Sequence, residues 1–304
     1  MIINLRRWLP PPVLVLGLAL GLWIGCGDAE EEEAVVDDSP RRIIALAPSV
    51  AEVVHALELD DRVVGVGDYV VWPPALASKP KLGGLFNPDF ETIVSLRPDV
   101  AILLESEASL RGRLEAVDVE VMTVPSDTLA DIEQAIEMIG ERFGVGDRSD
   151  ALLRRWRVEL TPNPVESLMR VVMVIGREPA RLGDMVVAGP GTFFDQLLSR
   201  LGAINAFYSV EMSYPQVGVE ELLRREPEII LEIQPLDVPE SRQQALMRDW
   251  EDLGALGELP APCVRIVQGK HVLVPGPRLP EVYAQLRAAI EDCIPQPEIP
   301  EASE

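Results

Sequence analysis

From residue 41 onward the chain alternates short apolar runs with stretches in which apolar residues recur every three to four positions. Ile43–Ala47 is an apolar run of strand length, stopped by Pro48. Helical spacing follows in "SVAEVVHAL", where Ser49 stands three residues before Glu52. That is capping-box spacing and predicts a helix starting there. Val63–Val66 is the next strand, and strand–helix–strand is the unit of an α/β fold with parallel pairing. The alternation continues through "PDVAILLE" and "EVMTV". Helical periodicity then runs from Ala130 to Phe143 and from about Arg148 to Leu160, broken by "GVGD" and ended by Pro162 and Pro164. A second α/β run begins with "RVVMVIG". Its next helix follows "AGPGTFF", with Thr192 and Asp195 again at capping-box spacing. The apolar runs "EIILEI", "CVRIV" and "HVLVPG" come next, then a last helix from Pro280 to about Cys293.

The two runs echo each other. "ETIVSLRPDVAIL" starts at Glu91 and "EELLRREPEIIL" at Glu220, and in both the glutamate stands seven residues before a proline, Pro98 or Pro227. Proline there ends a short helix and launches a strand. Each copy also has an upstream helix after a proline, Pro48 or Pro190. The fold class that follows is α/β, with two Rossmann-like lobes joined by a helical linker. The lobes fall at 41–126 and 169–294, with the linker at 127–168 and a Pro- and acid-rich tail at 295–304.

The N-terminus sets the compartment. Val13–Gly25 is an uncharged run of 13 residues, whereas a spanning helix needs roughly 20. Pro10, Pro11 and Pro12 block its extension, and Arg6 and Arg7 precede it, the order of a secretory signal over 1–25. Cys26, after Ile24 and Gly25, resembles the lipobox cysteine of bacterial lipoproteins, although Trp23 stands where that pattern prefers leucine. The resemblance implies a diacylglyceryl anchor on Cys26; a plain signal peptide with an incidental cysteine is the alternative. The block "GDAEEEEAVVDDSP" reads as a solvated tether over 26–40.

Charge removes one class of partner. The formal net charge is −23, and it moves to −25 once residues 1–25 go, because they carry two arginines and no acid. Nucleic acid needs clustered positive charge, so it is not expected. Beyond Cys26 only Cys263 and Cys293 remain. In an oxidising space they can pair or stay free, and their spacing is not that of a metal site.

The order and spacing of "IIALAPSVAEVVHAL", "VVGVGDYVVWPP", "KLGGLFNPDFETIVSLRPDVAILL", "AGPGTFFDQLLSRLGAINA", "SYPQVGVEELLRREPEIIL" and "VPGPRLPEVYAQL" resemble a family over Arg41 to about Cys293. It is the helical-backbone class of substrate-binding proteins of ABC importers, which serve cobalamin, haem and ferric siderophores. The resemblance implies a ligand cleft between the lobes and a permease dimer as partner. It also implies that Glu91 and Glu220 are the surface carboxylates that meet permease arginines. Read from the residues alone, each glutamate also favours a helix N-terminus. For the ligand it implies Tyr69 first and Trp72 second, then Leu85 and Phe86 at the cleft mouth, with Tyr214 and Arg278 as further contacts. Packing under a Pro-Pro turn is the other reading of Trp72.

"DYVVWPP" and "YPQVGVEELL" sit nearest the cobalamin subgroup, so a corrinoid is the expected ligand, with haem or a ferric siderophore as the alternative. No cofactor is expected. A structural surface lipoprotein is the reading from a different class. An enzyme is not expected: the only histidines, His55 and His271, lack a nucleophile context, and "AGPGTF" lacks the Gly-Lys-Ser/Thr of a nucleotide loop. Two histidines are also too few for a zinc or manganese receptor.

Overall fold

The computed structural model describes residues 42–84, 87–166, 168–178, 182–254 and 262–295. The expected signal, the tether with Cys26, Leu85, Phe86 and the tail from residue 296 lie outside them.

The first lobe runs β1 (Ile43–Ala45), α1 (Pro48–Ala56), β2 (Val63–Val66), α2 (Pro74–Ala77), β3 (Gly83–Gly84), β4 (Asn87–Pro88), α3 (Phe90–Ser95), β5 (Val100–Leu104), α4 (Arg111–Glu115) and β6 (Glu120–Val124). Its main sheet is parallel throughout, in the order β2-β1-β5-β6. The linker is α5 (Leu129–Arg142) and α6 (Gly146–Glu159). The second lobe runs β7 (Arg170–Gly176), β8 (Met185–Val187), α7 (Phe193–Arg200), β9 (Ile204–Asn205), β10 (Gln216–Val217), α8 (Val219–Arg224), β11 (Ile229–Gln234), α9 (Glu240–Gly254), β12 (Cys263–Gln268) and α10 (Leu279–Glu291). Its sheet order is β10-β8-β7-β11-β12, with β9 beside the start of β7. Strands β7, β11 and β12 are parallel, β8 runs against them, and β10, antiparallel to β8, runs along with them again.

The echo in sequence is an echo in hydrogen bonds. The Arg42 amide donates to the Asp99 carboxylate at 2.7 Å, and the Arg170 amide to Glu228 at 2.9 Å. The Arg42 Nε donates to the Arg97 carbonyl and the Arg170 Nε to that of Glu226. Arg97 and Glu226 have φ of 44° and 46°, so each short helix ends in a left-handed residue just before its proline.

Two local expectations fail. Pro48 takes the first turn of α1 behind Ala47, which makes no side-chain cap, so Ser49 lies inside the helix and no capping box forms. Ser49 and Glu52 are buried instead. "HVLVPG" is a pair of turns rather than a strand, because Val272 and Val274 donate their amides to Gly269 and His271. At α7 the Thr192 hydroxyl does accept from the Asp195 amide, while the Asp195 carboxylate turns to the Gly191 amide and to Asn205.

One apolar cluster passes without a break from α1 and β1 through Ile136, Ile139 and Trp156 of the linker to α7, β11 and α10. Close packing of this kind resists relative rotation of the lobes. Across the same junction the Phe193 amide donates to the Asp127 carbonyl, and the Leu129 amide to Gln196 Oε1, both at 2.8 Å. Cys263 at the head of β12 is bonded to Cys293 beyond α10, with a sequence separation of 30. A loop of that length stabilises by roughly 3–4 kcal/mol in the chain-entropy account.

Candidate ligand-binding site

Open α/β sheets gather ligand contacts beyond the carboxyl ends of their strands. Here β2 runs into the turn that carries Tyr69, which is 66% exposed. Beyond β5 and β6, the segments from Glu105 and Pro125 line a cavity of 390 Å³ together with Asp127, Asp131 and Gln134. Three carboxylates and no arginine or lysine line it.

Tyr214 reaches the same region from the second lobe. Burial pushes its phenol up to about 12, and the Asp127 carboxylate adds to the shift. It therefore stays protonated, a hydrogen-bond donor, throughout the physiological range. Its loop is tied to the end of β8: the Gly189 amide donates to Ser213 at 2.7 Å and the Val187 amide to Pro215 at 3.1 Å. A Cβ at Gly189 would lie 2.3 Å from the Met212 carbonyl oxygen, so only glycine permits this approach.

Arg278 and Trp72 are brought together, but on each other. The Arg278 guanidinium is paired with Glu52, Nε donating to Oε2 at 3.1 Å, and it lies 4.1 Å from the Trp72 ring centre. The guanidinium expected for a ligand acceptor is thus engaged within the protein, as a clasp between α1 and the start of α10. Trp72 also meets the edge of His55, whose Nδ1 is 2.8 Å from Asp60. Burial raises the Glu52 carboxyl above its usual range, while Arg278 pulls it back. Beside the clasp is a second cavity, of 470 Å³, lined by Trp72, His55, Arg155, Glu159 and Glu281 among others.

Glu91 and Glu220 occupy the same place in α3 and α8, the second helical residue, and both are exposed. Sequence reading missed Asp127 and Glu105, whose only signal is that they follow strands, and Tyr208 and Met212, 66% and 61% exposed in the loop that bears Tyr214. It also missed Glu52 as the partner of Arg278.

Comparison with known proteins accords with this geometry. Residues 43–249 match the family described as periplasmic binding protein. An uncharacterized ABC transporter substrate-binding lipoprotein, YvrC of Bacillus subtilis, is 26% identical over 67% of this chain and 67% of its own length. A vitamin B12-binding protein of Vibrio cholerae is 25% identical over 62% of this chain and 69% of its own. The solved structure of a periplasmic heme binding protein from Pseudomonas aeruginosa matches with a TM-score of 0.66 and 27% identity, over 82% of this chain and 92% of that one. The matched span takes in both lobes from β1 into α9, so the chain belongs to the periplasmic binding protein family and is a binding protein, not an enzyme.

Proposed function

We propose that this protein captures cobalamin or a related corrinoid outside the cytoplasm and hands it to the permease dimer of an ABC importer, held at the membrane by a lipid on Cys26. The observation that carries the choice of ligand is the acidic cavity beside Tyr214. A corrinoid offers amide N–H groups to carboxylates and an extended apolar face to an exposed tyrosine such as Tyr69. A haem would bring two propionates towards Glu105, Asp127 and Asp131. Each such pair at about 6 Å costs roughly 3 kcal/mol at an effective dielectric constant near 20. The vitamin B12-binding relative supports the same choice. Haem is the second reading, favoured by the Pseudomonas structure.

Titration of the purified protein with cyanocobalamin, haemin and ferrichrome tests this by absorbance. Cyanocobalamin is expected to bind with Kd at or below about 1 μM and haemin far more weakly. Haemin binding with no response to cyanocobalamin would move the assignment to the second reading.

The anchor has its own test. Cys26→Ala is expected to shift the protein from the membrane to the soluble fraction. Retention on the membrane with an uncut N-terminus would make the apolar run a membrane helix instead.

A further inference from the structure

Tyr69 is two-thirds exposed, so packing alone does not aim its ring; the turn beneath it has to. That turn is Gly67–Val70, closed by the Val70 amide donating to the Gly67 carbonyl at 3.1 Å. Both ends are pinned. Val70 is fully buried, and a Cβ on Gly67 would stand 2.1 Å from the Leu46 carbonyl oxygen. Asp68 is stapled sideways to β3, its amide donating to the Gly83 carbonyl at 2.9 Å while its carboxylate accepts from the Gly83 amide at 3.2 Å. On the far side the Lys81 ammonium donates to the Val70 carbonyl at 2.6 Å and to the Gly67 carbonyl at 3.3 Å. Lys81 is itself fixed in register, bridged to Val66, with the Leu82 amide on the Val66 carbonyl.

The residue type is informative. Lysine occurs only at 79, 81 and 270, among 27 basic residues in the chain, so arginine is the chain's default cation. An ammonium is compact and has three rotatable donors, which suits it to two carbonyls of one tight turn. The turn leaves the Tyr69 ring against Gly84, where a Cβ would lie 3.5 Å from Cε2, an ordinary contact distance.

We propose that Lys81 is a positioning residue for ligand binding, fixing the Gly67–Val70 turn so that Tyr69 presents one face to the cleft. The inference rests on the reading of Tyr69 as a ligand contact and adds the device that orders it. Removing the ammonium leaves the buried Val70 carbonyl without its donor and returns to the unliganded protein the side-chain freedom that binding must then remove. Ordering of one side chain of this kind corresponds to roughly a two- to tenfold change in affinity.

The test is a double-mutant cycle with cyanocobalamin as the probe. Lys81→Met is expected to weaken binding by that factor in the native protein. In a Tyr69→Ala background the same change is expected to alter affinity less than about twofold. Lys81→Arg, which keeps the charge but not the geometry, is expected to fall between. Tyrosine-ring 13C–1H spectra give a readout that needs no ligand. With four tyrosines in the chain, the Tyr69 signals in Lys81→Met should move towards random-coil positions while the other three stay. Unmoved Tyr69 signals overturn the proposal, and so does an equal loss of affinity in the Tyr69→Ala background. A different result, Tyr69→Ala binding cyanocobalamin as well as the native protein, overturns Tyr69 as a contact and leaves the spectra to decide the clamp.

Discussion

Reversing both Glu91 and Glu220 to arginine is expected to abolish import of the ligand while its affinity in solution stays unchanged. The two carboxylates hold equivalent places, each the second residue of a six-residue helix and each exposed. Two like points of charge on two lobes bound through one apolar cluster keep a set separation, which suits a pair of arginines related by symmetry in a permease dimer. Favouring the helix start does not account for both. Asp89 already caps α3 through the Thr92 amide, and Glu221 supplies a second acid to the first turn of α8. Folding is therefore expected to tolerate the reversals. An exposed ion pair contributes roughly 0.2–1 kcal/mol, and more where docking excludes water. Each single reversal should give a partial defect, and the double reversal sets like charges against each other at both ends. Uptake of labelled cobalamin into cells, alongside solution titration of each variant, measures the two effects separately. Normal uptake by the double variant would sink the docking role.

The sequence carries this fold at the level of periodicity and of the Glu-to-Pro echo, because both are local. The seven-residue spacing is the length of a short helix plus the left-handed residue that ends it, at Arg97 or Glu226. The linker helices begin and end within two residues of the expected positions, since the left-handed Gly144 separates them and Pro162 lies just past the second. Contacts between distant segments were not legible. Glu52 and Arg278 are 226 residues apart, and nothing in either neighbourhood announces the other. Ser49 and Glu52 misled for a related reason: their spacing fits a cap, but Pro48 had already started the helix and tertiary burial claimed both side chains. The clamp on Tyr69 was hidden too, because its acceptors are backbone carbonyls, which have no letter in a sequence.

The largest expected effect on stability lies in the second lobe, at Arg177. Its side chain and that of Glu232 are each 1% exposed, and they are paired at 2.9 Å and 3.1 Å. Arg177 also meets Asp249 at 2.8 Å, while Glu232 accepts from the Trp250 indole at 2.6 Å and from Gln234 at 2.9 Å. This network fastens α9, through Asp249 and Trp250, onto the centre of the sheet. A buried pair adds little net stability when it is compared with a well-packed apolar pair, but removing one member strands a charge away from water. Arg177→Met, which leaves the Glu232 carboxylate without a cation, is therefore expected to cost roughly 3–5 kcal/mol in urea unfolding, and Glu232→Leu less, because Arg177 keeps its ion pair with Asp249. The double change Arg177→Met with Glu232→Leu should cost less than Arg177→Met alone, because no unpaired charge is left at the centre; Asp249, 22% exposed at its side chain, retains access to solvent. A cost under about 1 kcal/mol for Arg177→Met, or a double that simply adds the two singles, would mean that the network is solvated in a way its burial does not suggest.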